Sequence, residues 1–400
     1  MPTPKRPTAP ADFGVYVHLP FCRHQCAYCT FYTLPNPASA DPHRRLIAAV
    51  QREWQRRVAP RLARGDAIRT VYIGGGTPSE SPADALESLL GSFDGACPGG
   101  LRSLEEVTVE CNPESASAGL LERLRDAGVD RVSLGVQALH DADLETLDRG
   151  CTVAVTRAAL QHVAARFERW NADLILGIPG SSWARVRTAL EELADAGAPH
   201  LSFYCLELPA ELARRLGDPA DARSDDAKAD QYEMASTWAE EHGYEHYEIS
   251  NAARPGQRAA HNSAYWTGRD YIGLGPGAHS LEAGVRRANR ADLNRYLQAL
   301  ESDQEPPAHW ENLTPQMIRY ERILLGLRRC EGLDWQEEGL EHYLDLFGRL
   351  ESSGLARLGG NRLRLTARGW LVSDSIVLQL VTAIDGAPPR VDKHPATWLH

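Results

Sequence analysis

Cysteine, net positive charge and long apolar runs are all scarce in this sequence. Eight cysteines in 400 residues fall short of the density of a secreted disulfide scaffold. No run is apolar and long enough to span a bilayer. The 43 basic residues are outnumbered by 54 acidic ones, for a formal charge of −11. That balance argues against a nucleic-acid partner, which needs a basic surface. Residues Met1 to Asp12 are proline-rich and carry Lys5 and Arg6 but no apolar segment, which argues against a signal peptide. Cys97, Cys111, Cys151, Cys205 and Cys330 are scattered and read as small core residues kept reduced. The expectation is a soluble cytoplasmic protein with no membrane span. Its 43% hydrophobic content is ample for a core, and its length suits about two to three domains.

What is present begins with an alternation. Strand-like runs at Val15–Leu19, Thr70–Ile73, Val107–Glu110, Arg131–Val136, Asp173–Ile178 and His200–Leu206 are nearly continuous in apolar residues. This suits strands buried on both faces of a parallel sheet. Helical stretches fall between and after them, at Pro42–Val58, Pro82–Ser92, Ser117–Ala127, Val153–Phe167, Ser182–Ala196 and Asp225–His242. Ser182 is placed to cap the fifth helix and Gly128 to close the third. Six β–α repeats predict a partial (β/α)6 barrel, with active groups at the C-terminal ends of its strands. The run Tyr244–Ile249 reads as a further strand outside the repeat. From about Leu313 the pattern changes to helices at Gln316–Leu327, Asp334–Glu338 and Tyr343–Ser352, a hairpin of Ala356–Leu358 and Leu363–Leu365, and a final helix Thr366–Leu380. That order predicts a winged-helix-like α+β module. The expected division is a disordered tail 1–12, a core 13–243, an extension and linker 244–310, the C-terminal module 311–385 and a tail 386–400.

Cys22, Cys26 and Cys29 follow the first strand with C-x3-C-x2-C spacing. Three soft thiolates on one short loop can hold three irons of a [4Fe–4S] cluster, leaving the fourth open to a small molecule. A four-ligand zinc site is the weaker alternative, because no matching second pair exists. The layout resembles radical S-adenosylmethionine (SAM) proteins. The second strand ends in Gly74-Gly75-Gly76-Thr77-Pro78, where bare backbone admits a ligand to N–H groups. Glu110 and Gln137 end the third and fourth strands, Arg149 follows in Leu-Asp-Arg-Gly, and Asp173 opens the fifth. A carboxylate at a strand end suits ribose hydroxyls or an ammonium group.

Taken together, Tyr-Val-His-Leu-Pro-Phe-Cys22, Gly-Gly-Gly76-Thr-Pro-Ser, Glu110-Cys-Asn-Pro-Glu, Ser-Leu-Gly-Val-Gln137 and Asp173-Leu-Ile-Leu-Gly-Ile-Pro-Gly resemble the HemN/HemW family over about residues 13 to 280. The resemblance implies that Tyr16, Gly75, Gly76, Thr77, Glu110, Gln137, Arg149 and Asp173 contact SAM, with Tyr28 covering the adenine. It also separates two branches. The decarboxylating enzymes carry a fourth cysteine where this chain has Phe31, and a longer N-terminal extension. The segment His261-Asn262-Ser-Ala-Tyr265-Trp266 matches the H-N-x-x-Y-W signature of the haem-chaperone branch. An imidazole can ligate haem iron and aromatic rings can pack on porphyrin, so His261, Asn262, Tyr265 and Trp266 are the candidate haem residues. Arg254 and Arg258 are placed to meet propionates. The implied function is delivery of haem to acceptor proteins such as respiratory haem enzymes. Cofactors would be a [4Fe–4S] cluster, SAM and haem, and a homodimer follows by family analogy. Peripheral membrane contact stays open. The alternative is an oxygen-independent coproporphyrinogen III dehydrogenase. DNA reading by the C-terminal module is disfavoured, because Glu331, Asp334, Glu337, Glu338, Glu341, Asp345 and Glu351 surround Arg328 and Arg329.

Overall fold

The computed structural model describes residues 11–207 and 225–385; the expected tail 386–400 and nearly all of the tail 1–12 lie outside them. One twelve-stranded sheet dominates. Six strands run parallel in chain order: β1 (Asp12–Leu19), β2 (Ala67–Gly75), β3 (Glu106–Cys111), β4 (Arg131–Gln137), β5 (Arg169–Leu176) and β6 (His200–Cys205). Helices α1 (Asp41–Arg57), α2 (Ala83–Asp94), α3 (Ala118–Asp126), α4 (Val153–Ala164) and α5 (Trp183–Asp195) make the crossovers, and α6 (Asp225–Glu241) follows β6. This is the expected partial (β/α)6 barrel.

The strands are not apolar on both faces. They alternate. Val15, Val17, Val71, Ile73, Val107, Val109, Val132, Leu134, Trp170, Ala172, Leu201 and Phe203 join the hydrophobic core with the helices. Their neighbours in sequence, Thr70, Tyr72, Thr108, Glu110, Ser133, Asn171, Asp173, His200 and Ser202, hydrogen-bond to one another or to lumen partners. The period-2 geometry of a strand sends these polar groups into the barrel lumen, where each finds a partner.

Local signals explain the helices. Pro42 sits in the first turn of α1, with Asp41 there and Arg56 and Arg57 in the last, matching the helix dipole. Its Trp54 stacks on Phe93 of α2, ring centroids 4.0 Å apart. Ser117 and Thr152 cap α3 and α4 through their side chains. Gly128 follows the C-cap of α3 at φ +99°, as expected of a closing glycine. Ser182 occupies the N-cap of α5 but its hydroxyl makes no capping bond, so that expectation fails in its mechanism.

The extension does not stand apart from the barrel. Strands β7 (Glu245–Glu248) and β8 (Asn251–Ala253) continue the sheet beyond β6. Helix α7 (Ala260–Trp266) then leads to β9 (Tyr271–Leu274), which pairs parallel with β1 at the other edge. Strands β10 (His279–Glu282), β11 (Val285–Asn289) and β12 (Ala308–Asn312) add antiparallel pairs, with α8 (Leu293–Glu301) between the last two. Glu53 of α1 fastens this edge. Fully buried, it accepts from Tyr296 Oη at 2.7 Å, Asn289 Nδ2 and the Gly275 amide at 2.9 Å, and Arg57 and Arg287 at 3.3 Å.

The C-terminal module contains α9 (Pro315–Leu327), β13 (Leu333–Asp334), α10 (Leu344–Ser352), β14 (Ala356–Gly359), β15 (Arg362–Leu365) and α11 (Ser373–Asp385). The expected helix Asp334–Glu338 is instead a short strand and turns, because Asp334 turns the chain by accepting from the amides of Gln336 and Glu337. The expected final helix is broken at Val372. The module meets the core through amide bonds from Ile249 to the Arg328 carbonyl and from Cys330 to the Tyr247 carbonyl, each 2.9 Å. No helix among the described residues is long and apolar enough to cross a membrane.

Candidate functional site

Strand β1 delivers the cysteine loop to the C-terminal mouth of the barrel. Phe21–Cys22 pairs with Leu34–Pro35, so the loop is tied at its base. The Cys29 amide closes a turn on the Cys26 carbonyl at 3.1 Å. All three thiols are free of disulfides, Cys26 is buried and the other two are half-buried. Burial pushes the Cys22 thiol up to about 11 and raises that of Cys29. Two side chains offset that cost at sulfur. Thr77 Oγ1 lies 3.3 Å from Cys22 Sγ and Arg149 Nη1 donates to Cys26 Sγ at 3.4 Å. Burial opposes the charge of Arg149, but Tyr28, Cys26 and Glu114 around it hold the guanidinium protonated. Three thiols on one loop with a cation against them fit an anionic thiolate-held iron–sulfur cluster.

Below the loop the inward residues form the upper lumen. Glu110 accepts from Tyr72 Oη at 2.7 Å and the Gly75 amide at 3.0 Å. Burial lifts its carboxyl to about 7, against the pull of those two bonds. Tyr16 stacks on Tyr72 at 6.1 Å and its hydroxyl lies 2.9 Å from His18 Nδ1. His18 Nε2 faces the Tyr32 carbonyl at 2.9 Å, so Nε2 carries the proton and Nδ1 accepts from Tyr16. Asp173 accepts from Asn171 at 2.6 Å and is raised by burial. Gln137 ends β4 at φ +65°, in the left-handed region, beside a register shift against β5. Tyr28 leans on the apolar cluster of Ala138, Leu144, Leu147, Ile175, Ile178 and Leu206. Tyr16, Tyr28, Glu110, Gln137, Arg149 and Asp173 all retain partial exposure, which leaves them reachable from the mouth.

The glycine run departs from expectation. A Cβ at Gly74 would stand 2.7 Å from the Glu110 carboxylate, at Gly75 2.5 Å from the His18 ring, and at Gly76 2.5 Å from the Pro20 backbone. The Gly76 and Thr77 amides donate to Leu19 and Phe21 carbonyls at 2.8 Å. The bare backbone therefore makes room for protein atoms, and the amides of 75–77 are already engaged.

The second group lies at the opposite end. Helix α7 plugs the N-terminal mouth, with its His261 amide on Glu106, the first residue of β3, at 3.2 Å. The His261 ring is 1% exposed. Thr70 Oγ1 binds Nδ1 and Tyr265 Oη binds Nε2, both at 2.8 Å. Burial lowers the imidazole to about 4. Gly14 accommodates it, since a Cβ there would come within 3.2 Å of the ring. A surface-presented axial ligand is thus not what this conformation holds. Tyr265 packs edge-on to Tyr271 at 4.6 Å, while Asn262 and Trp266 are half-buried. Arg258 is taken by Glu245 at 2.5 Å and Glu331 at 2.6 Å, so it is not open to a propionate, and Arg254 lies over the Tyr244 ring. Sequence reasoning gave no role to Tyr72, His18 or Asn112, although His18 lies within Tyr16-Val-His-Leu-Pro and Asn112 within Glu110-Cys-Asn-Pro.

A parallel partial barrel with a three-cysteine loop at its C-terminal mouth defines a radical SAM protein. Residues 16–200 match the Radical SAM superfamily model. The solved structure of coproporphyrinogen III oxidase (HemN) from Escherichia coli shares the fold with a TM-score of 0.76 at 22% identity, over 94% of this chain and 90% of that one. The heme chaperone HemW of Mycobacterium tuberculosis H37Rv is 35% identical over 376 residues, covering 92% of this chain and 95% of that protein. Its namesake in Lactococcus lactis is 34% identical over 80% and 82%, and that of Bacillus subtilis 28% over 91% and 97%. The chain belongs to the HemW family.

Proposed function

We propose that this chain is a cytoplasmic haem carrier that passes haem to acceptor proteins, respiratory haem enzymes among them. The reading is carried by kinship with proteins named heme chaperones over nearly their whole length. Phe31 supports it, standing 41% exposed where a fourth cysteine marks the decarboxylating branch. Cys22, Cys26 and Cys29 would hold three irons of a [4Fe–4S] cluster, with Arg149 and Thr77 against their sulfurs. Tyr16, Glu110, Gln137, Arg149 and Asp173 would hold SAM, with Gly75, Gly76 and Thr77 shaping the wall and Tyr28 over the adenine. When bound together, such a cluster and SAM supply one-electron reduction of a sulfonium. Residues His261, Asn262, Tyr265 and Trp266 are the proposed haem segment. Asn262 and Trp266 are four apart and share a helix face. His261 is neutral at physiological pH, the state that ligates metal, and would bind haem iron only by giving up its bond to Thr70 or Tyr265. A homodimer is part of the reading by family analogy.

The test is a haem titration of the anaerobically reconstituted protein followed at the Soret band, with His261→Ala and Trp266→Ala alongside. Saturable binding that weakens in both variants is expected. Absence of specific binding would overturn the carrier, and coproporphyrinogen III turnover with SAM and a reductant would then be assayed. Unchanged binding in both variants would move haem away from this segment.

A further inference from the structure

Asn112 sits behind the cysteine loop and faces two partners. Its Oδ1 accepts from Arg149 Nη2 at 2.7 Å and its Nδ2 donates to Thr77 Oγ1 at 2.9 Å. The amide orientation is forced, because a guanidinium only donates and so must face the oxygen. Thr77 Oγ1 therefore accepts from Asn112, and its single hydroxyl proton is left for Cys22 Sγ, 3.3 Å away. Arg149 meanwhile donates its other nitrogen to Cys26 Sγ at 3.4 Å. One direction of donation runs through the ring, from Arg149 to Asn112 to Thr77 to Cys22, and from Arg149 to Cys26. Both branches end on sulfur with a proton.

The surroundings hold Asn112 in that pose. Its amide donates to Ser79 Oγ at 3.3 Å and its carbonyl accepts from Ser115 Oγ at 3.2 Å. A Cβ at Gly135 would lie 3.1 Å from Asn112 Oδ1 and 3.4 Å from Arg149 Nη2, so glycine there leaves space for the pair. Hydrogen bonds to cluster sulfurs are one of the levers that set an iron–sulfur potential, and donors there favour the more negative, reduced state.

We infer that Asn112 is a positioning residue that fixes the direction of hydrogen bonding around the cysteine loop and thereby raises the reduction potential of a cluster held there. This rests on the cluster assignment to Cys22, Cys26 and Cys29 and is independent of haem. Asn112→Asp is the informative variant. It keeps the shape, but a carboxylate accepts from both Arg149 and Thr77, which turns the threonine proton away from Cys22. Thr77→Val removes the same donor without adding charge.

Full-length wild type and both variants are reconstituted anaerobically, assayed for iron and sulfide, and titrated potentiometrically with EPR detection. The expected result is near-wild-type iron content, a potential shifted negative in each variant, altered g-values, and a less than additive shift in the double variant. Wild-type potentials and g-values in both loaded single variants would overturn the inference and leave Asn112 a purely structural residue. Should Asn112→Asp fail to take up iron, Thr77→Val decides alone. A wild-type protein that takes up no iron sinks the cluster assignment itself, a distinguishable failure.

Discussion

Tyr72 stacks on His261 with ring centroids 5.2 Å apart, and its hydroxyl donates to Glu110 at 2.7 Å. One side chain thus touches the plug at the lower mouth and the carboxylate at the upper lumen. Tyr72→Phe keeps the stack and removes the donor. Losing one bond to a recessed carboxylate costs about 1–3 kcal/mol. SAM affinity should weaken as Glu110 loses its orientation. Chemical denaturation and equilibrium SAM binding check the two effects separately.

The thiol assignment is tested by Cys22→Ala, Cys26→Ala and Cys29→Ala. Each should abolish the brown anaerobic chromophore while circular dichroism stays close to wild type. Four irons retained in any of them would refute the ligand set. Replacing Cys97, Cys111, Cys151, Cys205 or Cys330 should leave the chromophore intact.

Acid should weaken the fold through its buried imidazoles. His18, His246 and His261 are each lowered by burial from 6.5 to about 4. A depressed histidine gives stability that is complete above pH 6.5 and lost as pH falls towards 4. His261→Gln keeps donor and acceptor without titrating. Its stability deficit relative to wild type should shrink on acidification over that window, as read from urea midpoints.

Glu110 runs the other way. Raised by burial from 4.5 to about 7, it stabilises fully below pH 4.5 and loses that contribution as pH rises through 7. Glu110→Gln should therefore gain on wild type between those values. A flat difference would mean the carboxylate is solvated.

Glu53 is the fastener between α1 and the extension. Glu53→Ala would leave Arg287, itself 2% exposed, with Glu305 at 3.2 Å as its remaining carboxylate. It would also leave the buried donors of Tyr296 and Asn289 without their acceptor, and should cost about 3–5 kcal/mol. Tyr296→Phe removes one of its five donors and should cost about 1 kcal/mol. Thermal unfolding resolves the two.

The cysteine loop was legible because its three thiols are local in sequence. The polar lumen was misread although its pattern is in the sequence. Thr70-Val-Tyr72-Ile-Gly74 and Arg131-Val-Ser133-Leu-Gly135 alternate strictly, but tyrosine and glycine pass for apolar when runs are scored by composition. Asn112 was hidden for a different reason. Its role exists only where the loops after β1, β2, β3 and β4 converge, and no spacing encodes that. The lower plug was hidden likewise: His261 looks like any histidine beside aromatics until Thr70 and Glu106 are seen around it. The glycines of 74–76 were read for a ligand, whereas Glu110, His18 and Pro20 fill the space.

One partner of β1, β2, is synthesised soon after it, whereas β9 can pair only when Tyr271 has emerged to meet Gly14. At ribosomal rates of roughly 5–20 residues per second, that interval lasts on the order of tens of seconds. Throughout it the first strand presents an unpaired edge, the kind of surface that invites wrong partners. The helix that seals the lower mouth arrives in the same late stretch. The cysteine loop is thus synthesised long before the base of its barrel can close.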